Sequence, residues 1–111
     1  MVHSLKLQLQ PFVKIKGGKK TIEVRLYDEK RQLITVDDEI EFVLTVDPHQ
    51  TFHAKVVDLV RFKTFEELFR AYPPEVFGAE KSEDWINMYQ YYTKEQEEKY
   101  GVLGIRIELT D

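Results

Sequence analysis

Between Gly18 and Arg25 the chain places four ionisable side chains, Lys19, Lys20, Glu23 and Arg25, in one short stretch behind a glycine pair. From Thr21 to Tyr27 polar and apolar residues alternate, with Ile22, Val24 and Leu26 on one side and Glu23, Arg25 and Tyr27 on the other. That is the period of a β-strand, in which residues i and i+2 are neighbours on one face. A carboxylate set between a lysine and an arginine has three uses. It can form a surface ion pair that stabilises the fold by about 0 to 1 kcal/mol. It can orient the arginine toward a ligand, or, beside a buried lysine, it can activate water for hydrolysis. Spacing alone favours the surface ion pair, with Lys20 solvated at the strand entry, and leaves the other two open. For binding, Lys20 and Arg25 suit phosphate, and Arg25 adds bidentate and stacking contacts. Tyr27, Tyr91 and Tyr92 are candidates to stack on a base.

The elements that must carry these residues follow from periodicity. Leu5, Leu7 and Leu9 alternate with polar neighbours and predict a first strand. Pro11, the face shared by Phe12 and Ile15, and the stop at Gly17-Gly18 predict a short helix over residues 11–16. After the charged turn at 28–33, Ile40, Phe42, Leu44 and Val46 mark a third strand. Phe52, Ala54 and Val56 mark a fourth, whose phase reverses at Val57 and Leu59, so a β-bulge is expected near Val56-Val57. Thr64-Phe65-Glu66-Glu67 reads as a capping box for a helix that stops before Pro73-Pro74. Ser82 is a plausible cap for a helix carrying Trp85, Met88, Tyr89 and Tyr92, a spacing more usual for core packing than for a ligand platform. Thr93 caps another helix ending at Gly101, and Leu103, Ile105, Ile107 and Leu109 form the last strand. The order β-α-β-β-β-α-α-α-β describes an α+β unit, taken as one domain over residues 1–111.

Composition narrows the chemistry. Apolar residues make up 42% of the chain and charged residues 32%, the balance of a chain that buries a core. No apolar run is long enough to cross a bilayer, and the start alternates instead of offering a signal-peptide core, so no membrane partner and a cytoplasmic location are expected. The absence of cysteine excludes disulfides, thiolate metal sites and cysteine nucleophiles. His3, His49 and His53 are dispersed, so no metal and no cofactor are expected; His3, at the start of the first strand, is the one placed to reach a cleft formed with the motif. Net charge is −4, against a protein that coats nucleic acid by bulk electrostatics. Yet residues 1–35 hold eight basic side chains against three acids, a local +5, and the remainder carries −9. Such asymmetry can turn one face toward an anion, or it can be a solvated surface.

The pattern Gly-x-Lys-x-x-Glu-x-Arg, met by Gly18, Lys20, Glu23 and Arg25, resembles the signature of the ASCH domain family of the PUA-like superfamily. The likeness extends through His3-x-Leu5, Pro11-Phe12, Ile15, Arg25-Leu26-Tyr27-Asp28 and Tyr100-Gly101, nearly the whole chain. One departure is Asp37, where many members have glycine before the aspartate that is Asp38 here. The resemblance implies a small β-barrel of about five or six strands with helices covering one opening. In a closed barrel, Ile22, Val24 and Leu26 would be buried with Ile40, Phe42, Ile105 and Ile107, while Glu23 and Arg25 line the opening. It also implies RNA or a nucleotide-like ligand, with Lys19, Lys20, Glu23, Arg25, Tyr27, Lys30 and Arg31 as the binding set, Glu23 orienting Arg25 or reading a base edge. One branch of the family resembles a metal-independent amide hydrolase of acetylated cytidine that uses a lysine, a threonine three residues on and a distant glutamate. Here Lys20 matches but Glu23 stands at the threonine position, and Thr21 points to the other strand face. As an enzyme the chain would use Lys20 and Glu23, with Glu80 or Glu83 as second carboxylate. A protein-interaction adaptor is a third reading, and oligomeric state is left open.

Overall fold

The computed structural model describes residues 1–110; Asp111, the last residue of the expected domain, lies outside them. Five strands form one mixed sheet: β1 (Val2–Leu7), β2 (Ile22–Leu26), β3 (Glu39–Leu44), β4 (Thr51–Phe62) and β5 (Val102–Leu109). Their spatial order is β1-β3-β4-β5-β2, with β1 parallel to β3 and every other pair antiparallel. The helices are α1 (Leu9–Lys16), α2 (Phe65–Arg70) and α3 (Lys94–Tyr100), and single 3-10 stretches run over Arg31–Leu33, Pro74–Phe77 and Ser82–Gln90. The sheet curls into a half-barrel. Among the described residues its end strands β1 and β2 make no ladder with each other, and the Nη2 of Arg25 crosses between them to the carbonyl of Lys6 at 2.7 Å.

Local signals decide most element ends. α1 begins at Leu9, two residues earlier than Pro11 suggests, so the proline lies inside the first turn, where its missing N–H leaves no bond unmade. The Thr64 hydroxyl accepts the N–H of Glu67 at 3.1 Å, and Thr93 with Gln96 forms a reciprocal box at the start of α3. The expected bulge is present as a register shift between Val56 and Asp58. Ser82 does not act as a cap. The Asp84 carboxylate takes that role instead, accepting the N–H groups of Glu80 and Lys81 at 3.1 and 3.2 Å, and the residues after it form 3-10 turns instead of an α-helix. Asp37 adopts a φ of 77°, the left-handed region that glycine would occupy without strain.

The burial expectation needs correcting. Ile40, Phe42, Ile105 and Ile107 belong to a first cluster on the inner face, closed by Phe12 and Ile15 of α1. Ile22, Val24 and Leu26 are buried too, but in a second cluster on the opposite face, against Phe65, Leu68 and Phe69 of α2, Phe77 and Val102. Pairing explains this. Glu23 stands opposite Ile105 and Arg25 opposite Leu103, and directly paired residues project to the same side, so the charged residues of β2 share the inner face and its apolar ones turn outward. Gly104 keeps that outer packing close: a Cβ there would lie 2.8 Å from the Cγ2 of Val60.

Candidate functional site

The turn from α1 into β2 fixes Lys20 before any side chain acts. The N–H groups of Lys19 and Lys20 both donate to the carbonyl of Lys14, at 2.9 and 3.1 Å, and Thr21 N–H donates to Val76 at 2.9 Å. From that position Lys20 Nζ reaches Oε1 of Glu23 at 2.8 Å. Arg25 Nε donates to Oε2 of the same carboxylate, also at 2.8 Å. Glu23 is only 4% exposed. Burial by itself would raise its pKa, but the Lys20 ammonium and Arg25 guanidinium outweigh that and hold it down to about 2. Arg25 shows the converse balance, burial opposing its charge and Glu23 more than restoring it. Tyr92, beside Arg25, has its hydroxyl pKa pushed up, chiefly by burial.

This triad forms the floor of a cavity of about 560 Å³. One wall is the end of β1 with Lys6 and Leu7, a second is α1 with Gln10 and Lys14, and a third is the segment 78–92, which contributes Glu80, Asp84, Asn87, Met88, Tyr91 and Tyr92. Lys14 joins two walls, its Nζ donating to the carbonyl of Gly78 at 2.7 Å. Lys6, Lys14, Lys20 and Arg25 stand against Glu23, Glu80 and Asp84, so the lining is close to balanced, with one net positive charge. Such a cavity suits a ligand with an aromatic or polar body and little anionic charge.

The structure divides the residues singled out from the sequence. Lys20, Glu23 and Arg25 come together, and Tyr91 and Tyr92 join them from the third wall. Lys19, Tyr27, Lys30 and Arg31 do not line this cavity. Lys19 and Lys30 are exposed, Arg31 gives Nη1 to Asp28 at 2.9 Å, and Tyr27 packs on the first cluster beneath Arg61. Glu80 lines the cavity and Glu83 does not. His3 turns away to Asp38, 2.7 Å from its Nε2. Trp85, Met88, Tyr89 and Tyr92 pack on the second cluster, as their spacing suggests, while Met88 and Tyr92 also show a side to the cavity. Sequence reasoning missed Lys6, Gln10, Lys14 and Asn87. Lys14, between the buried Phe12 and Ile15 of the helix that leads into the motif, offered the one usable signal.

A family model for the ASCH domain matches residues 5–111. The chain belongs to the ASCH domain family. Among solved structures, the ASCH domain is similar to the hypothetical protein PH0355, at 34% identity over 99% of this chain and 100% of that one, with a TM-score of 0.85. It is similar to protein PF0455 from Pyrococcus furiosus, at 33% identity over 100% of this chain and 99% of the other, with a TM-score of 0.78. The ASCH protein of Zymomonas mobilis shares the fold at 16% identity and a TM-score of 0.69, over 96% of this chain and 66% of that one. No curated protein matches. The half-barrel is thus the α+β, PUA-like architecture of ASCH proteins. Among the described residues no helix is long and apolar enough to cross a membrane, and no group of three or more histidine, aspartate or glutamate residues is placed to hold a metal ion.

Proposed function

We propose that this ASCH domain binds RNA or a modified nucleotide in the cleft above Lys20, Glu23 and Arg25. The observation that carries the reading is the shared carboxylate: Glu23 holds two cations side by side at the floor of an open cavity. Each oxygen of this buried carboxylate accepts from one cation, so in this reading Glu23 first of all positions its partners, and its remaining lone pairs are available to a base edge. Lys20 keeps donors beyond the one facing Glu23, and Arg25 keeps part of its fork free for a phosphate or a base carbonyl. Tyr91, 60% exposed at the rim, offers a face on which a base can stack. A cytoplasmic site of action belongs to this reading.

Amide hydrolysis of an acylated cytidine is the rival, and the electrostatics of Glu23 weigh against it. A general base works best with a pKa near the operating pH, whereas a carboxylate held at about 2 by two cations is a weak proton acceptor. Incubation of the protein with N-acetylcytidine separates the two. The binding reading predicts saturable association with the acetyl amide intact. Release of acetate that is lost in Lys20→Ala would overturn it in favour of the enzyme.

A further inference from the structure

A second cationic feature lies on the same face of the sheet as the triad. Arg25 stands opposite Leu103 in the β2–β5 pairing, and Leu103 stands opposite Arg61 in the β4–β5 pairing. Paired residues project to one side, so Arg61 belongs to the face that bears Glu23, Arg25 and Tyr27. Its guanidinium carbon lies 3.9 Å from the centre of the Tyr27 ring, a stacking contact that fixes the plane of the fork. The chain has five arginines, and four are engaged by carboxylates: Arg25 by Glu23, Arg31 by Asp28, Arg70 by Glu66 and Arg106 by Asp58. Arg61 has no carboxylate partner among the described residues, and it is exposed. It also borders a second cavity of about 450 Å³ with Lys63 and Tyr100.

A stacked arginine whose charge is not spent inside the protein is suited to phosphate and to the face of a base. Tyr27 follows Arg25 by two residues, about 6 to 7 Å along an extended strand, a step comparable to that between successive phosphates of a single strand. We propose that Arg61, stacked on Tyr27, contacts the nucleotide next to the one held in the cleft, so that the ligand is a segment of single-stranded RNA and not a free nucleoside. This rests on the cleft reading above. Lys63, exposed beside the second cavity, extends the same contact toward a further phosphate.

Affinities for cytidine 5′-monophosphate and for a six-nucleotide RNA, measured on the wild type, Arg61→Gln and Lys20→Ala, test the two readings separately. Arg61 is exposed, so its replacement leaves the fold in place. Arg61→Gln is expected to weaken the hexanucleotide by roughly 5- to 20-fold and leave the mononucleotide unchanged, since one phosphate or stacking contact is lost. Lys20→Ala is expected to weaken both. If Lys20→Ala weakens both and Arg61→Gln leaves the hexanucleotide unaffected, or weakens both ligands alike, the strand contact is overturned and the cleft reading stands. If Lys20→Ala affects neither ligand, the cleft reading fails and the strand contact falls with it.

Discussion

Replacing Glu23 by glutamine leaves Lys20 and Arg25 facing each other with nothing negative between them, in a site where the carboxylate is almost fully enclosed. Breaking a buried ion pair by removing one partner is costly, so Glu23→Gln should destabilise the protein by about 3 kcal/mol, read as a lowered urea midpoint at unchanged m-value. The pH dependence has a definite sign. A carboxyl whose folded pKa lies below its ordinary value contributes stability that is complete above the ordinary value of 4.5 and disappears as pH falls toward about 2. Wild-type stability should therefore decline through that window, and the decline should be shallower in Glu23→Gln; equal slopes would show that Glu23 has the same pKa in the folded and unfolded chain. Lys20→Ala should be milder, since Arg25 still engages the carboxylate. At this scale the sequence was informative: alternation put Glu23 and Arg25 on one face, and the glycine pair marked the entry to the strand. It did not show that the face was the inner one, because period-2 patterning separates two sides without saying which of two apolar clusters each side meets.

The third wall of the cleft shows what an element owes to its ties. It is held at one end by Thr21 N–H on Val76 and Lys14 on Gly78, and at the other by the Tyr89 hydroxyl, which donates to Glu97 at 2.9 Å. Glu97 is buried, and its second oxygen accepts the N–H of Phe65 at 2.7 Å, so α2, α3 and the cleft wall meet at one carboxylate. Burial and then Glu97 push the Tyr89 pKa up to about 12. Tyr89→Phe strips a partner from a buried oxygen and should cost about 1 to 3 kcal/mol by urea denaturation. Gly78 has a φ of 70°, and a Cβ there would come within 3.0 Å of the Lys14 side chain. Gly78→Ala should cost roughly 1 to 2 kcal/mol for the left-handed backbone alone, measurable the same way, and should displace the wall from Lys14. Little of this was legible beforehand. Residues 85, 88, 89 and 92 follow the 3.6-residue period of an α-helix, and nothing in that spacing marks the 3-10 turns that form over Ser82–Gln90. The role of Glu97 depends on a contact with Phe65, 32 residues away.

For the molecule as a whole, the five strands and three α-helices could be read in order from periodicity and caps, with a 3-10 stretch in place of the helix expected after Ser82; strand order and the incomplete closure of the sheet could not, since parallel pairing of β1 with β3 leaves no local mark. The same holds for charge. The basic excess of residues 1–35 was visible, yet folding divides it between the cleft, where acids nearly balance it, and exposed lysines such as Lys19 and Lys30. Few phosphates can then be neutralised. For about two or three phosphate contacts on a single strand, counterion release predicts a log–log salt slope of roughly −1.4 to −2.1. The most direct test of the account is a calorimetric titration of a short single-stranded RNA into the wild type and Lys20→Ala, with circular dichroism confirming that both are folded. The account predicts saturable binding with that shallow slope, and an affinity at least about tenfold lower in Lys20→Ala, since one charge-assisted hydrogen bond is lost. Equal affinity in the two proteins, or a slope of many units indifferent to Lys20, would place the binding surface elsewhere and contradict it.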